Sequence, residues 1–169
     1  GEGDRFLGVT VPNTRAVVRR FRDMPHGEVA KLLRSPFHEE RLGALLILVH
    51  QATRGDMAAR KACFDLYVEH LPWVNNWDLV DTSAGPLLGA WVHDGGAPRA
   101  LLDELAASPD RWRRRVAMLA TSASIARGDA GPALRMARTL VRDPDDLIHK
   151  AVGWMLREVG GRVDVGLLR

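Results

Sequence analysis

Cysteine and long apolar runs are almost absent from this sequence of 169 residues. Cys63 stands alone, which excludes a disulfide bond within the chain and a zinc site built from several cysteines. No apolar run approaches the length of a membrane-spanning helix, and the first residues lack the basic and then apolar pattern of a signal peptide. We therefore expect a cytoplasmic protein with no membrane partner.

Lysine is also scarce. Lys31, Lys61 and Lys150 are the only lysines among 24 basic residues, so 21 of them are arginines, and with 21 acidic residues the formal charge is +3. A guanidinium group is planar and offers two parallel N–H donors to a phosphate, whereas an ammonium group acts as a point charge. The mild basic balance is therefore carried by the side chain that best recognises phosphate.

Apolar residues recur at helical spacing along most of the chain. The pattern is clearest in RLGALLILVHQATR, MAARKACFDLYVEH, RALLDELAA, RRVAMLATSASIAR and ALRMARTLVR. No segment alternates between apolar and polar residues as a strand does, and Pro, Gly, Asp and Ser fall between the segments, as expected for short turns between helices. The sequence predicts a single all-α domain over residues 1–169, long enough to bury a substantial core.

Four prolines mark a regular period. They occur in Ser35-Pro36, Leu71-Pro72, Ser108-Pro109 and Asp143-Pro144, at intervals of 36, 37 and 35 residues. Each interval has room for two helices, and proline is favoured in a first helical turn after a Ser or Asp cap, so each mark is predicted to open an equivalent helix. Repeats of this length are typical of HEAT-like helix pairs, which stack into a right-handed α-solenoid with one concave face. The alternative is chance spacing of four of the nine prolines.

Residues counted forward from these prolines fall on two opposite faces of the predicted helices. At about 100° per residue, offsets +5, +6, +9 and +10 lie within one arc of roughly 140°. In the last three units that arc carries Trp77, Asp81, Arg114, Arg115, His149, Lys150 and Trp154. The opposite arc is predicted to be the core and holds Leu79, Val80, Val116, Ala117, Ala120, Ala151, Val152 and Met155. The first unit has Arg41, Leu42, Leu45 and Leu46 on the polar arc, so we assign the functional surface to the last three units.

The stretch WVNNWDLVD, residues 73 to 81, has more polar and aromatic side chains than packing requires. Asn75 or Asn76 is a natural N-cap, and Asp78 in the first turn complements the helix dipole. Asp81 lies beyond the capping positions, one turn after Trp77, so the two side chains are neighbours on the arc that faces away from the core. Asp81 is either part of a site or an ordinary solvated aspartate.

The chain resembles a known family over nearly its whole length, from Phe6 to about Gly160. The segments NNWDLVD, RWRRRVAML and KAVGWMLREVG, together with FLGV and LLRSPFHEERLGALLIL, are similar to those of bacterial DNA alkylation repair proteins of the AlkD type. These proteins are glycosylases built from HEAT-like repeats. The resemblance implies that Trp77, Asp81 and Trp154 are catalytic and that Arg115 contacts DNA. Arg113, Arg114, Lys150 and His149 are further candidates for DNA contacts.

The implied activity is hydrolysis of the N-glycosidic bond of cationic N3- or N7-alkylated purines in duplex DNA. The resemblance implies a monomer associated with the nucleoid, acting on alkylated double-stranded DNA without a cofactor, a metal or base flipping. Relative to the family, we expect either a short form of the protein or a chain with trimmed ends. The alternative function is a HEAT-like scaffold that binds DNA or protein and does no chemistry.

His38 and His50 are twelve residues apart, and neither has a second possible metal ligand one helical turn away. We therefore expect them to be ordinary surface and core histidines.

Overall fold

The computed structural model describes residues 3–168, and this part of the chain is helical with no strand. An isolated bridge joins Arg5 to Phe37. The helices are α1 Val11–Val18, α2 His26–Leu33, α3 His38–Arg54, α4 Met57–Glu69, α5 Trp77–Ser83, α6 Ala90–His93, α7 Ala100–Ala106, α8 Arg111–Ala120, α9 Ser122–Ile125, α10 Gly131–Leu140 and α11 Asp146–Arg162. Leu71–Trp73 and Val165–Leu168 are 3₁₀ turns, and Ala84–Gly89 is a π-helical segment. The prediction of an all-α fold is confirmed.

The chain divides into two compact units, the first ending at Ser83 and the second beginning at Ala84. In the first unit, α3 is the central helix and packs against α1, α2, α4 and α5. Leu45 and Leu48 of α3 are fully buried, together with Val29 of α2 and Cys63 of α4. The first unit is therefore organised around one long apolar helix, and the arrangement of units as a solenoid stays a prediction.

The second unit is organised around α8, which packs against α7, α10, α11 and the π-helical segment. Met118 of α8 is fully buried, as are Met136 of α10 and Ile148 of α11. Asp110 and Asp145 cap α8 and α11, since each carboxylate accepts the N–H of the residue two positions ahead at 2.9 Å. The two helices that carry the predicted basic and aromatic side chains are thus packed directly on each other.

The eight residues of the predicted core arc are all buried. Leu79, Val80, Val116, Ala117, Ala120, Ala151, Val152 and Met155 are each at most 4% exposed. Three of the repeat prolines differ slightly from expectation, because Pro36, Pro109 and Pro144 lie two residues before α3, α8 and α11 instead of opening them. Pro72 lies in a 3₁₀ turn ahead of α5. The core periodicity is confirmed, and the helices start slightly later than predicted.

A shared turn explains the later helix starts. Ser35, Ser108 and Asp143 each precede a repeat proline, and each side-chain oxygen accepts the N–H of the residue after that proline, at 3.0, 3.2 and 2.9 Å. Such a side-chain bond competes with helical bonding and holds the proline in a turn. Arg41 and Arg114, both five residues after a proline, also donate from Nη1 to the carbonyl of Ser35 and Ser108 respectively, at 2.7 and 3.0 Å. The same turn therefore precedes α3, α8 and α11, and the HEAT-like repeat itself stays a prediction.

Two glycines of the π-helical segment allow close helix packing in the second unit. A Cβ at Gly89 would lie 2.0 Å from the carbonyl oxygen of Ala120, and one at Gly85 would lie 2.4 Å from Ser122 Oγ. A backbone carbonyl cannot rotate away as a side chain can, so Gly89 tolerates no side chain without displacement of α8.

Gly89→Ala is therefore expected to lower the free energy of unfolding by about 1–3 kcal/mol, the usual range for overpacking. Gly153→Ala in α11 is the matched control, since no atom lies within 4 Å of its added Cβ. That control should be neutral or stabilising by up to about 1 kcal/mol, because alanine is the better helix former. Urea unfolding of the two variants measures the difference, and equal midpoints would contradict the close contact.

The single cysteine is part of the core, as expected. Cys63 is fully buried in α4, and its Sγ lies 3.6 Å from His26 Nε2. Burial raises the pKa of the Cys63 thiol to about 11. Because the thiolate is the reactive form, this thiol is inert at neutral pH.

Candidate functional site

The face of α5 that points away from the core carries Trp77 and Asp81. Trp77 is 55% exposed and Asp81 is half-buried, whereas Leu79 and Val80 on the opposite face are fully buried. The two residues are four positions apart, so their side chains are neighbours one helical turn apart. An indole face and a carboxylate are thus presented side by side at the start of one short helix.

The polar residues around the start of α5 anchor this helix. The helix begins after Asn76, whose Oδ1 accepts the N–H of Trp77 at 2.8 Å and whose Nδ2 donates to Asp4 at 3.0 Å. Arg41 of α3 donates to Asn75 Oδ1 at 3.3 Å. The two asparagines therefore connect α5 to the N-terminal segment and to α3, beyond the capping role expected from sequence.

His38 is the central group of this anchor. Its side chain is 6% exposed and lies between two carboxylates: Nε2 donates to Asp78 Oδ2 at 2.7 Å, and Nδ1 lies 3.3 Å from Asp4 Oδ2. The hydrogen bond to Asp78 raises the pKa of His38 above its ordinary value of 6.5, against the opposing effect of burial. His38 was expected to be an ordinary surface or core histidine, and the structure instead places it at the link between α3 and α5.

Asp4 completes the charge balance of the cluster. Its side chain is 2% exposed and forms an ion pair with Arg41, whose side chain is 5% exposed. Burial disfavours the charged carboxylate, but its hydrogen bonds, including the one from Asn76, and the charge of Arg41 lower the pKa of Asp4 to about 2. We call Asp4, His38, Arg41, Asn76 and Asp78 the α5 anchor.

Glu39 fixes the segment that precedes α1. Its two carboxylate oxygens accept the N–H groups of Leu7, Gly8 and Val9 at 2.9, 2.9 and 3.3 Å. Burial disfavours the charge of Glu39, yet these backbone donors hold its pKa below the ordinary value. Consecutive N–H groups bonded to one carboxylate give the segment a defined path over α3 and keep Asp4 within the anchor.

The arginines of α8 are less exposed than their register predicted. Arg115 is 5% exposed and donates from Nη1 to the carbonyl of Leu147 in α11 at 2.5 Å. Arg114 forms a two-bond ion pair with Asp143, at 2.6 and 3.2 Å. Burial disfavours the charge of Asp143, but the Arg114 pair lowers its pKa overall. Arg113 is half-buried. These contacts join α8 to the start of α11. They depend on tertiary packing and could not be predicted from helical periodicity.

Helix α11 presents the remaining predicted residues. Trp154 is 39% exposed, and its indole N–H donates to Glu158 Oε1 at 3.3 Å. His149 and Lys150 are exposed, and Lys150 pairs with Asp146 at 2.6 Å. Beside Trp154 lies a cavity of about 280 Å³ that Met155, Glu158 and Arg162 also line. Glu158 holds the indole in place through this hydrogen bond. The sequence analysis did not identify Glu158, although its position four residues after Trp154 indicates contact on one helix face.

The structure thus brings Trp77 and Asp81 together in the first unit, and places Arg113, Arg114, Arg115, His149, Lys150 and Trp154 on two contacting helices of the second unit. Within residues 3–168, no group of three or more His, Cys, Asp or Glu side chains could hold a metal ion. No helix in the same range is long and apolar enough to cross a membrane.

Comparisons with known proteins show the family of the chain. The family model described as DNA alkylation repair enzyme matches residues 1–166. A solved structure described as a predicted DNA alkylation repair enzyme from Enterococcus faecalis aligns with a TM-score of 0.69 at 16% identity, covering 95% of this chain and 77% of that one. No curated protein matches the chain. The structural likeness concerns the fold, and the family match covers almost the whole sequence.

Proposed function

Because the chain belongs to the family of DNA alkylation repair enzymes, we propose that it is a DNA glycosylase acting on purines alkylated at N3 or N7 in duplex DNA. The observation that carries this proposal is the pairing of Trp77 with Asp81 on the outward face of α5, held by a buried anchor of charged groups. A scaffold that only binds DNA or protein has no need of a fixed carboxylate beside an exposed indole. We expect the protein to act as a monomer in the nucleoid.

The reaction needs one carboxylate. An N3- or N7-alkylated purine carries a positive charge, so cleavage of the bond between C1′ and N9 leaves the electron pair on the purine and makes it neutral. No general acid is then required, in contrast to glycosidases that use two carboxyl groups because their leaving group is poor. Water attacks C1′ and its proton passes to solvent, so the products are a free base and an abasic deoxyribose.

Asp81 would stabilise the transition state. Positive charge develops on the deoxyribose as the glycosidic bond breaks, and a preorganised carboxylate lowers the energy of that charge and orients the attacking water. The indole of Trp77 would present its π face to the same cation, a contact worth about 0.5–2 kcal/mol. Trp154 stays a predicted catalytic residue, and its indole N–H donates to Glu158.

The basic side chains of α8 and α11 would bind the phosphates that flank the lesion. Arg115 is the first candidate, with Arg113, Arg114, His149 and Lys150 beside it, and such contacts position the duplex without reading its sequence. A site of this kind recognises the sugar and backbone, so we propose that the base stays in the stack.

A base-release assay tests the proposed function. Methylated duplex DNA incubated with the protein should yield free 3-methyladenine and 7-methylguanine, separated by chromatography from the DNA. Unmethylated duplex of the same sequence is the control and should yield no base. Binding of methylated duplex without any release of base would contradict the proposed glycosylase activity and favour the alternative of a non-catalytic scaffold.

Arg115→Ala is expected to weaken duplex binding and to reduce the slope of log K against log salt by about one, the value for one phosphate contact. Fluorescence anisotropy of a labelled duplex over a salt series measures the slope. Arg115 also packs against α11, so thermal unfolding is recorded in parallel. A variant that is less stable but keeps the full slope would restrict Arg115 to a packing role.

A further inference from the structure

Trp154 belongs to a row of three contacting side chains on one face of α11. Its indole N–H donates to Glu158 Oε1 at 3.3 Å, and the other carboxylate oxygen of Glu158 accepts from Arg162 Nε. Successive members of the row are four positions apart, so they lie one helical turn from each other. Each oxygen of the carboxylate thus has its own donor, and the pair with Arg162 leaves the second oxygen for the indole.

The carboxylate of Glu158 is more shielded from water than those of three comparable ion pairs on helix surfaces. The Glu158 side chain is 30% exposed. The side chains of Glu28, Asp65 and Asp146, which pair with lysines three or four residues away, are 56, 53 and 76% exposed. Water and salt screen a partly buried charge less than an exposed one. The interaction of Glu158 with the indole is therefore less weakened by solvent than a typical surface contact.

Packing leaves one side of the Trp154 indole without support. The residue is 39% exposed and borders the cavity of about 280 Å³. Ser122, Ile125 and Ala126 line the same cavity from α9 and the residue that follows it. A side chain that borders empty space is not confined to one rotamer by its neighbours, as a side chain in a close-packed core is. The hydrogen bond to Glu158 therefore supplies a restraint that packing does not.

The negative charge of Glu158 suits the ligand that Trp154 is proposed to contact. A cation is attracted to the face of an indole by the electron density of the ring. A hydrogen bond from the indole N–H to an anion polarises the ring further, and a nearby carboxylate attracts the cation directly. Both effects favour a positively charged nucleotide over a neutral one.

We propose that Glu158 is a positioning residue, which holds the Trp154 indole in the orientation that contacts the cationic nucleotide. This inference rests on the proposed function, since that function gives Trp154 its ligand. A side chain that is fixed before binding loses less conformational freedom when the ligand arrives, so less of the interaction energy is spent on ordering it. Glu158 itself contacts no reacting atom in this role and acts through the indole.

Glu158→Ala is expected to slow the single-turnover release of 3-methyladenine and 7-methylguanine by about two- to tenfold, the effect of leaving one large side chain free to move. Affinity for undamaged duplex should stay the same or rise, because the variant removes a negative charge that repels phosphates. Glu158→Gln keeps an oxygen that accepts the indole N–H and should recover part of the lost rate. The matched control is Glu28→Ala, which removes the ion pair with Lys31 in α2 and should release bases at the wild-type rate.

A double-mutant cycle with Trp154→Phe tests whether Glu158 acts through the indole. Phenylalanine keeps an aromatic ring but has no N–H, so adding Glu158→Ala to Trp154→Phe should cost no further rate. The contact itself is measured by ¹H–¹⁵N spectra of the protein without DNA. The indole signal that is lost in Trp154→Phe identifies Trp154, and this signal should shift more in Glu158→Ala than in Glu158→Gln.

The outcomes separate this proposal from the proposed function. A wild-type rate for Glu158→Ala, or additive losses in the cycle, would overturn the positioning role and keep the glycosylase. An indole signal of Trp154 that does not shift in Glu158→Ala would overturn the role as well, whatever the activity. Absence of base release by the wild-type protein would contradict the glycosylase, and the role of Glu158 with it.

Discussion

Asp81→Asn is expected to reduce the release of 3-methyladenine and 7-methylguanine by about a hundredfold or more. Asparagine has nearly the same size and keeps an oxygen acceptor, so the change removes the negative charge with little effect on shape. Loss of one preorganised electrostatic contact to a developing charge typically costs about 10²–10³ in rate, and the deoxyribose cation depends on such a contact. Single-turnover release from methylated duplex measures the chemical step without product dissociation.

The matched control for Asp81→Asn is Asp65→Asn. Asp65 is an exposed aspartate of α4 that pairs with Lys61, and it belongs to neither the proposed site nor the α5 anchor. The control should release bases at the wild-type rate, and both variants should bind duplex DNA. Equal release by Asp81→Asn and wild type would remove Asp81 from the mechanism, even if the protein proved to be a glycosylase.

His38→Ala is expected to lower the free energy of unfolding by about 3–5 kcal/mol, the range observed when one partner of a buried ion pair is removed. Without the imidazole, the carboxylates of Asp4 and Asp78 lose the partner that they share. We expect base release to fall as well, since α5 would no longer be held at its first turn. Urea unfolding measures the stability, and His149→Ala, an exposed histidine, is the control.

The same histidine makes the stability depend on pH. The pKa of His38 is raised in the folded state by Asp78, so its contribution is fully present below the ordinary value of 6.5 and is lost as pH rises through the folded pKa. The difference in stability between wild type and His38→Ala should therefore shrink as pH rises above 6.5. The charged groups that face His38 are Asp4 and Asp78, and a difference that does not change with pH would mean that folding leaves the pKa of His38 unchanged.

Asp4 gives the stability the opposite dependence on pH. Its folded pKa of about 2 is below the ordinary 3.8, so its contribution is present above 3.8 and is lost as pH falls toward about 2. The α5 anchor is therefore strongest between these two titrations, where the Asp4 carboxylate and the His38 imidazole are both charged.

The periodicity of the sequence was sufficient to predict the core but not the anchor. Residues such as Val116 and Met155 repeat at helical spacing, and burial of an apolar helix face depends mainly on that spacing. The contacts of the anchor join residues that are 40 and 72 positions apart, for His38 with Asp78 and Asn76 with Asp4. No local pattern encodes such pairs. Asp78 was assigned to the helix dipole and His38 to ordinary packing because their partners could not be seen.

The same limit applies to the arginines of α8. Their offset placed Arg115 on the outward arc, and its burial against Leu147 depends on how closely α11 approaches α8. Trp77 and Trp154 kept the exposure expected from register, because no neighbouring helix in their own unit covers them. The outward face of a helix could thus be predicted from the register, whereas the degree of solvent access of each side chain depended on how its neighbours pack.

The burial of Cys63 makes the wild-type protein a convenient background for site-specific labelling. A maleimide dye reacts with thiolates, so a thiol that is fully buried with a pKa of about 11 leaves the native chain almost unlabelled at neutral pH. A single introduced surface cysteine, such as Arg20→Cys, would then carry the only fluorophore. Energy transfer from that dye to an end-labelled oligonucleotide would report the orientation in which the duplex is held.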